Sequence, residues 1–458
     1  MKPRSQTATD ADNVRSLNSG TWSANSALPE MQKPLSAPRS AASISILAIA
    51  LGLGGIFHFI AHCQPLETHV PEFIALMLLA GALYLVSVYI VQRYKCGPSI
   101  LFVILGATVV FRLFFLPLSP TLSEDVYRYQ WEGRMVRAHF NPYTVYPAMP
   151  ALNWAQNPKH PIETGKTTPT LYPPASEAAF SWAETVAGYK RLFTALDLAT
   201  VALLLVILSA ADRPLQHVLI YAWNPAVLIA FSLSGHNDSL AILTLLAATI
   251  FLIIGRRGIL SIGFLGLSVL SKLFPIFLLP VFLKRTRWGY AGIFGGVVLL
   301  GYLPYLAAGS RLLQGLSDFT AKWEGNDSLY RLFLAAGNST RQAQFVAGIL
   351  LLLLILYVLK ARMDIFRTGL VILAGLLFLS SNAFPWYFTW IVPFLCFCPS
   401  PALLLLTVTC VLGYSPVIAY AAGGSFPNSP LMQVLEYLPV FALLGYEIAR
   451  HFQRQQAE

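Results

Sequence analysis

The chain has 458 residues, 56% of them hydrophobic and 11% charged, whereas soluble globular proteins carry about 25% charged residues; a water-soluble globule is excluded. The formal net charge of +10 is not a nucleic-acid signal, because the basic residues sit in short clusters between apolar runs: Arg93 and Lys95, Arg256 and Arg257, Lys284 to Arg287, Lys360 to Arg367, and Arg450 to Arg454. Apolar runs of about 20 residues suit membrane-spanning helices rather than the short alternating strands of a barrel, so the expected fold class is an all-α polytopic membrane protein.

In chain order, residues 1–40 are rich in Ser, Ala, Asn and Pro without periodicity and read as a disordered cytoplasmic tail. The apolar core starts only near Ala42, which suits an uncleaved signal-anchor better than a signal peptide. A single transmembrane domain is expected over 41–450, with 451–458 as a second cytoplasmic tail. Candidate spans are 43–61, 73–91, 98–118, 191–210, 217–234, 238–254, 259–271, 273–283, 289–308, 342–360, 368–383, 386–398, 401–421 and 431–449. Basic clusters flank 259–283 on both sides, so this segment must leave and return to one face. About 25 residues cannot make two full spans at about 1.5 Å per residue, and a hairpin of broken or re-entrant helices shielded inside the bundle is expected. The short segment 386–398 poses a similar problem. The whole comprises about 12–14 transmembrane or re-entrant helices.

Placing the basic clusters inside puts both termini in the cytoplasm. Two long loops, 119–190 and 309–341, then lie outside with the shorter 62–72, 235–237, 381–385 and 422–430. The clusters also suit anionic membrane lipids. The five cysteines, Cys63, Cys96, Cys396, Cys398 and Cys410, have neither metal nor redox spacing, and disulfides are neither required nor excluded.

The polar signals converge on the external face. Glu124 and Asp125 follow the proline-bearing exit of the third span, where a carboxylate could serve as general base toward a sugar hydroxyl or bind a divalent metal with its neighbour. Ser123 would cap a helix whose first turn favours both acids, and the two readings are compatible. Asp125 is favoured as the base, though spacing alone leaves Glu124 open. On the following helix Asp125, Arg128 and Glu132 approach one face and Tyr127, Trp131 and Arg134 the next. Arg128 could hold a phosphate, and Tyr129 and Trp131 could contact a sugar; an interfacial aromatic belt explains the same residues. Asn141-Pro142-Tyr143 turns the chain, and Pro174 suits the first turn of a further helix, leaving Tyr172 to line a cavity.

Ser234-Gly235-His236-Asn237-Asp238 interrupts two spans. A turn needs Gly and Asn but not His and Asp, and ionisable groups at a membrane edge are usually functional. His236 is a candidate substrate or phosphate contact, Asp238 a candidate metal or hydroxyl contact, and Asn237 a candidate substrate contact. Lys272 in an apolar hairpin must pair, bind an anion, or snorkel. Trp323 and Asn326 lie in the second long loop with groups suited to sugar hydroxyls. Trp386 stands at another external span end, where an aromatic belt is an alternative.

The run Leu122-Ser-Glu-Asp-Val-Tyr-Arg-Tyr-Gln-Trp-Glu-Gly-Arg134 with Asn141-Pro142-Tyr143 resembles the first-loop signature of prokaryotic polyprenol-phosphate-mannose-dependent mannosyltransferases, of the C-type glycosyltransferase superfamily. Thr170 to Pro174, Trp223-Asn-Pro225, Ser234 to Asp238, Lys272 to Pro275, Asn326 to Tyr330 and Pro385-Trp-Tyr387 match in the family's order. The resemblance covers roughly residues 43–450. It implies a multi-span enzyme, in a prokaryotic plasma membrane, that works on the non-cytoplasmic face. It would move a hexose, mannose by the resemblance, from a polyprenyl-phosphate donor to a lipid- or glycan-linked acceptor. The family's first-loop acid falls on the Glu124–Asp125 pair. No cofactor is required by the motifs, and Mg or Mn is an open possibility. The rival reading is a transporter or lipid flippase, which broken helices and a buried Lys would also suit; it expects polar groups near mid-membrane, whereas here they gather at one face.

Overall fold

The computed structural model describes residues 39–94, 96–253, 257–424 and 429–457. The expected tail, apart from its last two residues, lies outside the described residues, as do Lys95 and Arg256 of the basic clusters. Among the described residues there are helices and no strand; a lone bridge joins Gly325 to Asn382.

Among the described residues seven helices are long and apolar enough to cross a membrane: Ser40–His62, Val70–Arg93, Val186–Ala210, Trp288–Lys322, Thr340–Lys360, Pro401–Ala421 and Pro430–Arg454. One bent pair and four shorter apolar helices, Ser99–Phe115, Asp238–Ile253, Gly258–Ser271 and Ile365–Leu379, complete the apolar set. Large apolar side chains face outward, Leu51 at 71% and Phe102 at 81% exposure among them, as a lipid-facing surface requires. The all-α polytopic reading therefore holds.

The expected single span 217–234 is broken. Leu215–Ala222 and Pro225–Leu233 meet at 55°, because Pro225 has no N–H to continue the ladder. The backbone groups freed at the bend find side chains. Tyr84 Oη donates to Ile220 O at 2.7 Å and Arg112 to Ala222 O at 2.9 Å. Asn224 accepts from Ala226 N at 3.0 Å and donates to Thr407 Oγ1 at 2.9 Å. Arg112 is itself paired with Asp197 at 2.6 Å, both side chains wholly buried. The far half of the segment, Leu228–Leu233, is π-helical and delivers the chain to His236; such turns often stand beside functional groups.

The expected hairpin over 259–283 is present. Asp238–Ile253 descends and Gly258–Ser271 returns beside it, joined by Ser268 Oγ donating to Ala241 O at 2.7 Å. The helix stops at Lys272, which is extended (φ −155°, ψ 148°). A 3-10 turn, Phe274–Leu278, and the helix Leu279–Arg285 then lead back. There Lys284 and Arg285 donate to the carbonyls of Leu359 and Met363, so two basic clusters share one end of the bundle while Asp238 and Lys272 share the other.

Three other expectations change in detail. Segment 386–398 is not a span of its own: a 3-10 turn, Pro385–Trp390, and one helical turn, Val392–Leu395, fill the bundle interior. The long loop 309–341 is largely helical, since Trp288–Lys322 continues past a kink at Gly309 (φ 55°) and Leu329–Ala335 follows. The last helix runs to Ala457, through the stretch expected as a tail. The first long loop carries the helices that build the site, which we label α1 (Asp125–Arg137) and α2 (Pro174–Phe180).

Candidate active site

Segments remote from one another in the chain close around one cavity of about 480 Å³. Glu124, Asp125 and Arg128 enter from α1 and its cap, and Tyr172 from the approach to α2. Lys272 enters from the hairpin tip, Trp323 and Asn326 from the second loop, and Trp386 from the buried 3-10 turn. One side of the wall is apolar, with Leu412, Val417 and Met432 beside Phe319 and Phe384.

The helix α1 starts at Asp125, with Glu124 rather than Ser123 at the cap position and only Asp125 in the first turn; Ser123, one residue earlier than expected of a cap, accepts from Asp125 N–H through its Oγ at 3.3 Å. Neighbouring residues on a helix diverge by about 100°, and the two acids take different partners. Glu124 accepts from Tyr420 Oη at 2.7 Å and Thr164 Oγ1 at 3.2 Å. Asp125 lies 3.4 Å from His236 Nδ1. Burial pushes the Asp125 carboxyl up, but the His236 contact and the Lys272 and Arg128 cations outweigh it and hold the group below the usual carboxylate range. It therefore stands ionised in the cavity wall.

His236, Asn237 and Asp238 are wholly buried behind that wall. His236 stacks on Trp386 at 4.1 Å, and Phe384 stacks on Trp386 at 4.9 Å; the indole is a strut that supports the histidine more than an open platform for a sugar. Asp238 accepts from Lys272 Nζ at 3.0 Å and from Trp390 Nε1 at 2.7 Å. Asn237 receives Tyr129 Oη at 3.2 Å and donates to Ser176 Oγ at 2.8 Å. Lys272 also lies over the rings of Tyr172 and Tyr387 at 5.7 and 5.3 Å, a setting that favours a desolvated cation.

The remaining residues divide. Arg128 lines the cavity, and three of its donors go to Glu132 Oε1 at 2.7 Å, Gly165 O at 3.0 Å and Thr168 O at 2.8 Å. A guanidinium has five N–H donors, so it retains capacity for a ligand. Tyr129 and Trp131 do not line the cavity; both are buried, Tyr129 stacked on Phe180 at 4.3 Å and Trp131 packed with Met135, Val145 and Leu152. Asn326, at φ 52°, donates to Glu436 Oε1 at 3.0 Å and ties the second loop to the last helix. Glu132, placed on the Arg128 face by its i,i+4 spacing, and Tyr387 also face the cavity, though neither was put forward as a site residue. Lys159 and His160 face it too and gave no signal in the residue pattern. Trp390, Glu177 and Tyr420 act on it from behind or from the rim.

Both oxygens of Glu124 and both of Asp238 have protein partners. Among the described residues no group of three or more His, Cys, Asp and Glu is placed to hold an ion.

Residues 40–285 match the family model described as alpha-(1->6)-mannopyranosyltransferase, N-terminal domain, of the MptA_B family. The chain belongs to this family. No curated protein and no solved structure matches. A member of this family with these apolar helices is a membrane mannosyltransferase. The matched segment contains the α1 acids, Tyr172, His236 to Asp238 and Lys272. Trp323, Asn326 and Trp386 fall beyond it, and the fold alone brings them to the cavity.

Proposed function

We propose that this mannosyltransferase moves its sugar from a polyprenyl-phosphate donor to a hydroxyl of a lipid- or glycan-linked acceptor, at the cavity around Asp125. The observation that carries the reading is the meeting, in one half-apolar cavity, of an ionised carboxylate from α1 with Lys272 and Arg128 from separate segments. The apolar wall suits a prenyl chain, and the polar floor suits a sugar phosphate.

Asp125 takes the proton of the acceptor hydroxyl as its oxygen bonds to the anomeric carbon. The bond from that carbon to the phosphate oxygen breaks, and the lipid phosphate leaves toward Lys272 and Arg128. Fixed cations at the point of growing charge stabilise the transition state more than the ground state. A single displacement inverts the anomeric centre. A carboxylate with a depressed pKa is a weak base, which suits proton transfer late in the displacement, when the sugar oxygen has become acidic. His236 holds Asp125 from behind, and Lys272 is itself fixed by Asp238.

Depth and sidedness follow the same reasoning. Asp238–Ile253 and Gly258–Ser271 have 16 and 14 residues, hence lengths of about 24 and 21 Å, short of a hydrocarbon core of about 30 Å. Their polar ends would lie recessed, within reach of a phosphate at headgroup level. The basic ends would face the cytoplasm with both termini, and the cavity the opposite side. The test is direct: purified protein in lipid with defined polyprenyl-phosphate sugars and a membrane lipid extract. A product one hexose heavier, formed by wild type and lost in Asp125→Asn, supports the reading; transfer from a nucleotide sugar instead of the lipid donor overturns it.

A further inference from the structure

Beside Arg128 lies a carboxyl pair that no step above uses, Glu132 at the cavity lining and Glu177 behind it. Glu132 on α1 and Glu177 on α2 are both wholly buried. Glu132 Oε1 accepts from Arg128 Nε at 2.7 Å, and Glu177 Oε1 accepts from Thr170 Oγ1 at 2.6 Å. The second oxygens, Glu132 Oε2 and Glu177 Oε2, are also buried, and neither receives a donor from the protein. The helices that carry them, α1 and α2, pack directly against one another, which sets each carboxyl within the field of the other. Buried polar oxygens without a partner are rare, and two carboxylates in contact cannot both ionise in a dry setting without severe repulsion. One proton held between them satisfies both orphan oxygens and leaves a single negative charge to match Arg128.

The surroundings supply no other balance. The further titratable groups facing Glu177 are the phenols of Tyr143, Tyr189 and Tyr305. Lys272 stands at the end of the helix that packs against α2, but it is engaged by Asp238. Burial first, and the Glu132 charge second, hold the Glu177 carboxyl well above the usual range.

We propose that Glu132 and Glu177 share one proton and act as a positioning pair for Arg128, fixing its guanidinium in the cavity wall where a sugar phosphate would sit. Arg128 in turn carries the Gly165–Thr168 turn through two carbonyls, so the pair also sets one side of the cavity. Its role in transfer rests on the reading of that cavity as the donor site; the shared proton does not.

The experiment has two arms on the full chain in lipid. In the infrared spectrum, wild type at neutral pH should show a protonated carboxyl component that Glu177→Gln removes; in Glu132→Gln, where burial still holds the Glu177 proton, that component should stay but shift, because its partner oxygen is gone. Absence of the component, its survival in Glu177→Gln, or an unshifted position in Glu132→Gln overturns the shared proton. In transfer assays Glu177→Gln, whose amide can still donate to Glu132, should keep the donor KM within about twofold and lose the alkaline rise in KM that wild type shows. Glu177→Ala should raise KM roughly tenfold, as expected for a buried charge-assisted contact. An unchanged KM in folded Glu177→Ala overturns the positioning role. A wild type that shows the band but transfers no sugar would sink the transfer reading and leave the pair standing.

Discussion

Replacing Asp125 by Asn removes one negative charge and almost no volume. The backbone N–H of residue 125 keeps Ser123 Oγ as its acceptor at 3.3 Å, so the start of α1 is undisturbed. The side chain is 35% exposed, which screens its contact with His236 and limits the loss of stability. Chemistry should suffer far more. A positioned general base contributes about 10²–10⁴-fold, and Asn cannot take a proton, so kcat should fall by about that factor. In the proposed reaction the donor phosphate would be held by Lys272 and Arg128, neither altered, so the donor KM should move by less than about threefold. The Asp125 carboxyl is held below its usual range. Wild-type activity should therefore persist as pH falls to the ordinary carboxylate range and decline only beneath it. The group's contribution to stability follows the same sign: present above its unfolded pKa and lost as pH falls through the folded one. Single-turnover transfer from a synthetic polyprenyl-phosphate mannose, read by product mass, with thermal unfolding as the control, measures all of this. A folded Asp125→Asn within about tenfold of wild-type kcat refutes the base assignment.

Other expectations are equally concrete. Lys272→Met leaves Asp238 buried with Trp390 as its remaining donor, so unfolding in detergent should come about 3–5 kcal/mol sooner; adding Asp238→Asn should restore much of the stability and none of the transfer. Asp197→Asn strands the buried Arg112 that braces the 55° bend and should cost about 3–5 kcal/mol by the same measure. At Gly133 a Cβ would stand 2.2 Å from the backbone oxygen of Phe180 and 2.6 Å from Tyr189 Oη. Gly133→Ala must push α2 and Glu177 away from α1, at about 1–3 kcal/mol with a raised donor KM. Because the Glu177 carboxyl is raised, its contribution to stability is full below the ordinary glutamate range and shrinks as pH climbs through the folded value; unfolding of Glu177→Gln should lack that alkaline decline.

What the sequence made legible was set by the cost of charge in an apolar chain. Asp125, His236, Asp238 and Lys272 stood out because each would be expensive unless partnered, and the fold sets them in two pairs, a loose approach of 3.4 Å for the first and a hydrogen-bonded ion pair at 3.0 Å for the second. The hairpin ending at Lys272 was legible for a related reason: too few residues between two basic clusters. The break at Asn224–Pro225 was not, although an Asn-Pro pair marks it, since a mostly apolar run of span length reads as one helix and its rescuers, Tyr84, Arg112 and Thr407, are remote in sequence. The α1 periodicity showed which residues share a face but not which face would be covered, and so Tyr129 and Trp131 fell to packing while Arg128 kept the cavity. Glu177 gave no signal at all, because a single glutamate in a long polar loop is ordinary until a second carboxyl is folded against it. Partners that meet only through tertiary structure are the part a one-dimensional reading cannot supply. In this site those partners decide which acid is ionised, Asp125 against His236, and which keeps a proton, Glu177 against Glu132.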